Sequence, residues 1–145
     1  MNALPFDGGV FIADKSAWER GRHPSVVGEW VAAILNEQIA TCVPCRLELL
    51  YSTRTEAEFV QWDEALAGLR EVPITRTICE AAVAGMRELA AHSDGYHRVP
   101  LPDFLIAAAA QDVGIGVLHY DRHFDKLQEV FNFASRWIAP AGTIP

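Results

Sequence analysis

At 145 residues the chain has the length of one domain, able to bury roughly 68–70% of its unfolded surface, and its ordinary balance of hydrophobic and charged residues excludes a disordered or fibrous class. Nineteen acidic residues against twelve basic ones give a net charge of -7, which excludes a globally basic surface for nucleic acid or anionic membrane and leaves any polyanion contact local. Three cysteines do not make a disulfide framework, the N-terminus lacks a basic region followed by an apolar one, and the longest apolar run, FLIAAAA, is too short to span a bilayer, so a soluble cytoplasmic protein is expected.

In chain order, GVFIAD (9–14) reads as a buried strand, and SVVGEWVAAILNEQ (25–38) as a helix with Val27, Trp30, Val31, Ile34 and Leu35 on one face. IATCV (39–43) reads as a second strand. Pro44 suits the first turn of the helix that follows, over residues 45–52. Residues 55–69 form a helix with Thr55 and Glu58 in capping-box spacing. REVPIT (70–75) is a short strand that its proline confines to an edge. A helix over 77–92 ends at the breaker SDGYHRVP, and a further helix over 101–114 carries Pro102 in its first turn and Gly114 just past its end. GVLHY (116–120) is the third clear strand, and DRHFDKLQEV opens the last helix. Strands alternating with helices predict an α/β fold, a central mostly parallel sheet with helices on both faces. No repeat or linker divides the chain, so a single domain over 1–145 is expected, its core at about residues 10–137.

In an open α/β sheet the ligand site lies outside the carboxyl ends of the strands. Asp14 ends the first strand, Glu48 sits one turn into the helix after the second, and Asp121 ends the third, with Asp125 four residues on. Asp103 lies in the first turn of the helix that precedes the third strand. Each acid also has a structural explanation: Asp103 and Asp121 as first-turn acids at a helix dipole, Asp14 as a cap, Asp125 as a solvated surface group. Glu48, set among Leu47, Leu49, Leu50 and Tyr51, is expected to be partly buried and partnered. Carboxylates that converge raise one another's pKa unless a cation sits among them, and a hard divalent ion, Mg²⁺ or Mn²⁺, is the natural counter-charge. The chemistry to which this points is metal-assisted phosphodiester hydrolysis.

Four segments in order, FIADKSAW, RLELLYS, PLPDFLIAAAAQDVG and LHYDRHFDKL, together resemble the PIN-domain ribonucleases, most closely the VapC-type toxins of type II toxin–antitoxin pairs, over about residues 10–137. The resemblance implies a Mg²⁺-dependent endoribonuclease of cytoplasmic RNA, with Mn²⁺ as a substitute and tRNA or rRNA as plausible substrates. It also implies restraint by a VapB-like antitoxin, and commonly a homodimer. It assigns Asp14, Glu48, Asp103 and Asp121 to the acidic quartet, with Asp14, Asp103 and Asp121 as metal ligands, Ser16 as the residue that orders the first loop and Asp125 as a fifth acid. Two positions depart from the pattern: His119, where Thr or Ser is usual, is expected in the pocket wall with a raised pKa if it faces the acids, and Lys15 stands beside Asp14.

Lys15, Arg122 and Lys126 are candidate phosphate contacts beside the acidic edge. Arg20, Arg22, His23, Arg46, Arg54 and Arg98 are the other local cations. Two alternatives remain: a thioredoxin-like thiol oxidoreductase using Cys42 and Cys45 of CVPC, and a catalytically silent RNA- or antitoxin-binding protein of the same fold. Trp18, Trp30, Trp62 and Trp137 are expected as core or interface residues.

Overall fold

A computed structural model describes residues 4–145. The first three residues, part of the expected domain span, lie outside the described residues. Five strands form one sheet in the order β3-β2-β1-β4-β5. They are β1 (Phe11–Ala13), β2 (Ile39–Thr41), β3 (Arg70–Glu71), β4 (Gly116–His119) and β5 (Ser135–Trp137). Every pairing is parallel, with Ile12 opposite Ala40 on one side and opposite Val117 on the other.

Seven α-helices are present among the described residues: α1 (Lys15–Arg20), α2 (Val27–Leu35), α3 (Val43–Tyr51), α4 (Glu56–Ala67), α5 (Arg76–His92), α6 (Leu101–Val113) and α7 (His123–Leu127). No helix among the described residues is long and apolar enough to cross a membrane. Side chains that alternate along the central strands divide the core in two. Ile12, Ala40 and Val117 join the cluster built with α5, α6 and α7, whereas Phe11, Ala13, Ile39 and Leu118 join Trp30, Ala33 and Ile138 on the other face.

Local signals set several boundaries. The Thr55 and Thr75 side chains cap α4 and α5 by accepting from the Glu58 and Ile78 amides, and Gly114 closes α6 in the left-handed conformation at φ 73°. Other boundaries differ from the sequence expectation. The segment after β1 holds two helices, not one helix over 25–38: α1 stops at Gly21, where a Cβ would lie 2.6 Å from the Trp30 indole, and Pro24 interrupts the chain before α2. The last helix is five residues long, because the chain turns after Leu127 and buries Phe131 and Phe133 in the core, with the Gln128 side-chain Nε2 donating to the Phe133 carbonyl at 3.0 Å. The strand β5 has no counterpart in the expectation, as its three half-buried residues carry no alternating pattern.

Candidate active site

The strand order reverses between β1 and β4, where the chain runs from β1 outward through β2 and β3 and then returns to β4 and β5 on the other side. A crevice opens at the carboxyl ends of such a pair. Asp14 follows β1 directly and caps α1; its Oδ2 accepts from the Ser16 amide at 3.1 Å and from the Ser16 hydroxyl at 2.7 Å. The Ser16 hydroxyl oxygen in turn accepts from the Tyr120 amide at 2.8 Å, pinning the end of β1 to the end of β4.

Two further helices begin at this edge of the sheet. The helix α3 brings Glu48 to it from one side, and α6 brings Asp103 from its first turn. Carboxylate oxygens of Asp14, Glu48 and Asp103 all lie within 4.8 Å of one another. Asp121, in the turn after β4, joins Asp103 and His123 in a second group of the same dimension, so Asp103 is shared by both. The sequence reading missed His123. The only signal available was its spacing two residues after Asp121. Its Nδ1 stands 3.0 Å from Asp121 Oδ1 and 3.7 Å from Asp103 Oδ2, while Asp121 Oδ1 accepts from the His123 amide at 2.9 Å.

The electrostatics of the group are those of crowded acids without a counter-charge. Asp14 and Asp103 are each only 5% exposed. Burial pushes the Asp103 carboxyl up to about 8, with Asp14, Asp121 and Glu48 adding to the effect. Burial likewise raises Asp14 against the lowering effect of its bonds to Ser16, and raises Glu48, helped by the charge of Asp14. Glu48 Oε1 is buried without a hydrogen-bond partner among the described residues, contrary to the expectation that it is partnered. A lone buried carboxylate oxygen among two other acids suits a divalent cation of the oxygen-liganded kind.

Asp125 lies apart from these acids. Its two oxygens accept from the Ser135 hydroxyl at 2.7 Å and from the Trp137 indole at 2.9 Å. His119 does not line the pocket as expected: it is fully buried between Phe124 and Trp137, and burial lowers its pKa to about 4, outweighing the raising effect of Asp125 and Asp121. The Asp121 amide donates to His119 Nδ1 at 3.1 Å and His119 Nε2 meets the Ser135 hydroxyl at 2.6 Å, so a neutral imidazole with its proton on Nε2 satisfies the whole chain from Asp121 through His119 and Ser135 to Asp125.

Several candidate cations are engaged elsewhere. Lys126 sits over the Tyr96 ring at 3.8 Å, Arg46 is held by Glu71 and Asp63, and Arg20 covers the Tyr120 ring. Lys15 lies 3.6 Å from Glu19, whereas Arg122 is exposed and makes no ion pair among the described residues. Cys42 and Cys45 are completely buried with their sulfurs 3.7 Å apart, sealed from any disulfide substrate.

The fold and the sequence have counterparts. The chain matches the PIN domain over residues 6–130. It is 36% identical to Ribonuclease VapC18 of Mycobacterium tuberculosis over 136 residues, covering 93% of this chain and 99% of that one. It is 40% identical to Ribonuclease VapC51 of the same organism over 98 residues, covering 68% and 70%. Among solved structures, VapBC2 of Rickettsia felis, bound to a DNA fragment from its promoter, superimposes with a TM-score of 0.66 at 14% identity, covering 87% of this chain and 98% of that one. FitAcB of Neisseria gonorrhoeae does so with a TM-score of 0.64 at 16% identity, covering 88% and 96%. The chain belongs to the PIN-domain family and, within it, to the VapC group.

Proposed function

We propose that this protein is the toxin of a VapBC-type toxin–antitoxin pair, a single PIN-like domain over residues 1–145 that cleaves cytoplasmic RNA, with tRNA and rRNA as the substrate classes. Its site holds a divalent cation, Mg²⁺ or in its place Mn²⁺, through Asp14, Asp103 and Asp121, with Glu48 completing the quartet. The observation that carries this reading is the convergence of Asp14, Glu48 and Asp103 within 4.8 Å, with the Asp103 proton held up to about pH 8. Holding three acids this close together, two of them buried, is costly unless a cation neutralises them.

When bound, the ion supplies positive charge at the phosphodiester and acidifies water. The chain's own residues do the rest. Ser16 fixes the Asp14 carboxylate and ties it to the end of β4. Glu48, with one oxygen that has no hydrogen-bond partner among the described residues, is the group that accepts the proton of the attacking water. Asp121 and His123 close the opposite wall. The relay through His119 and Ser135 gives Asp125 a supporting part, holding the backbone that presents Asp121. Arg122, Lys15 and Lys126 contact RNA phosphates, Lys126 once it leaves the Tyr96 ring. A VapB-like protein restrains the activity, supported by the antitoxin complexes named for the similar structures, and the working form is a homodimer.

The test is cleavage of total cellular RNA by the purified chain with Mg²⁺ or Mn²⁺, against EDTA, with Asp103→Asn in parallel. Metal-dependent cutting that the variant loses is the expected result. Cutting that persists undiminished in the variant would overturn the mechanism, and a folded wild type that binds RNA without cutting it would establish the silent alternative.

A further inference from the structure

Beside the acidic crevice a recess of about 430 Å³ opens between α1, α3 and α4, within the size range of small-ligand sites. Its walls include the indoles of Trp18 and Trp62, which meet edge to face at 5.8 Å between ring centres. The Gln61 side chain lines the same recess, is exposed and makes no hydrogen bond among the described residues. Lys15 and Arg22 stand at its rim, Arg22 with no ion pair among the described residues. Of the two acids in its lining, Glu19 pairs with Lys15 and Arg20, and Glu58 accepts from the Arg54 amide.

The placement ties this recess to the chemistry. Trp18 follows Asp14 by one turn of α1, its amide donating to the Asp14 carbonyl at 3.2 Å. Ser52 follows Glu48 by one turn of α3, its hydroxyl donating to the Glu48 carbonyl at 3.2 Å. The recess therefore lies about 6 Å along each helix from the acids that would meet a scissile phosphate.

We infer that this recess is a nucleobase subsite: it takes the base of the nucleotide next to the scissile phosphate and sets the base preference of the cut. The inference rests on the proposed RNA hydrolysis at the acidic crevice. A base offers a flat π-face to the indoles and a hydrogen-bonding edge to the Gln61 amide, while its phosphate meets Lys15 and Arg22.

Nucleoside 5′-monophosphates, which contain no phosphodiester to cut, probe the recess independently of catalysis. In ¹H–¹⁵N spectra of the full chain, the Trp18 and Trp62 indole signals are expected to shift saturably, more for one base than for the other three, while Trp137 stays in place. Inorganic phosphate alone should leave the indoles unmoved. Cleavage of a random-sequence RNA pool supplies the second readout. Wild type should prefer one base at a fixed position beside the cut, and Trp62→Ala should lose about 5- to 150-fold in kcat/KM with that preference relaxed. Gln61→Ala, at an exposed position, should change the preferred base without affecting the fold. Indole signals that no nucleotide moves, or that respond only to a bound protein partner, would overturn the inference, as would an unaltered base preference in both variants. Shifted indoles in a chain that cuts no RNA would support the base subsite while overturning the hydrolase reading.

Discussion

Replacing Asp103 by asparagine isolates the electrostatic cost at the centre of the crevice. In the folded chain the Asp103 carboxyl ionises at about 8, against 3.8 for the free group, because it is buried beside Asp14, Asp121 and Glu48. The folded state thus holds a proton that the unfolded chain releases. The stability tied to this group is complete below about pH 4 and is lost as pH rises through about 8. One such group changes stability by at most about 1.4 kcal/mol per pH unit across that window, so between pH 6 and pH 8 the metal-free protein loses about 2 kcal/mol through Asp103 alone. For 145 residues, an unfolding entropy of about 2.1 cal/mol/K per residue turns this into a fall in Tm of about 5–8 °C. Asparagine keeps the shape of the side chain and has no proton to lose. Calorimetry in EDTA should show wild type melting lower at pH 8 than at pH 6 by at least this amount. The Asp103→Asn profile should be flatter by about 5–8 °C over the same interval. Adding Mn²⁺ at pH 8 should raise the wild-type Tm and move the variant far less. Parallel pH profiles for the two proteins would refute the argument that buried neighbours oppose ionisation of Asp103.

Other consequences follow from neighbouring contacts. Glu48→Gln, which keeps the side-chain size but removes the proton acceptor, should lower kcat for RNA cleavage by about 10²–10⁴-fold with the urea midpoint little changed. Ser16→Ala breaks the link between Asp14 and the Tyr120 amide and should cost about 1–3 kcal/mol in urea unfolding, with Ser16→Thr recovering part of it. Ser135→Ala leaves a buried His119 N–H without its acceptor and should destabilise by a similar amount, about 1–3 kcal/mol by the same measurement. Gly85→Ala drives a methyl group into the Phe131 ring in the middle of α5 and should cost about 1–3 kcal/mol, relieved when Phe131→Leu is added.

The sequence by itself determined the alternation of strands and helices, because each element carries its own period and its own caps: Thr55, Pro44, Pro102 and Gly114 act on their immediate neighbours and are legible one residue at a time. It also determined that Asp14, Glu48, Asp103 and Asp121 come to one edge, since in a parallel α/β sheet the strand ends, the starts of the helices that follow them and the start of a helix that leads back into the next strand all lie on the same side. Tertiary structure alone decided which of these acids meet. Asp14, Glu48 and Asp103 converge because β1 is flanked by β2 and β4, an order that no local pattern encodes. The same packing turned Asp125 away to Ser135 and Trp137, and buried His119, whose pKa falls where a residue facing the acids would have had it raised. It brought His123 to Asp103 from 20 positions away, and placed Trp62 of α4 against Trp18 of α1 across the recess. Local propensities act over one or two turns of chain, whereas burial and charge depend on neighbours supplied by distant segments, and those exist only once the sheet has closed its order.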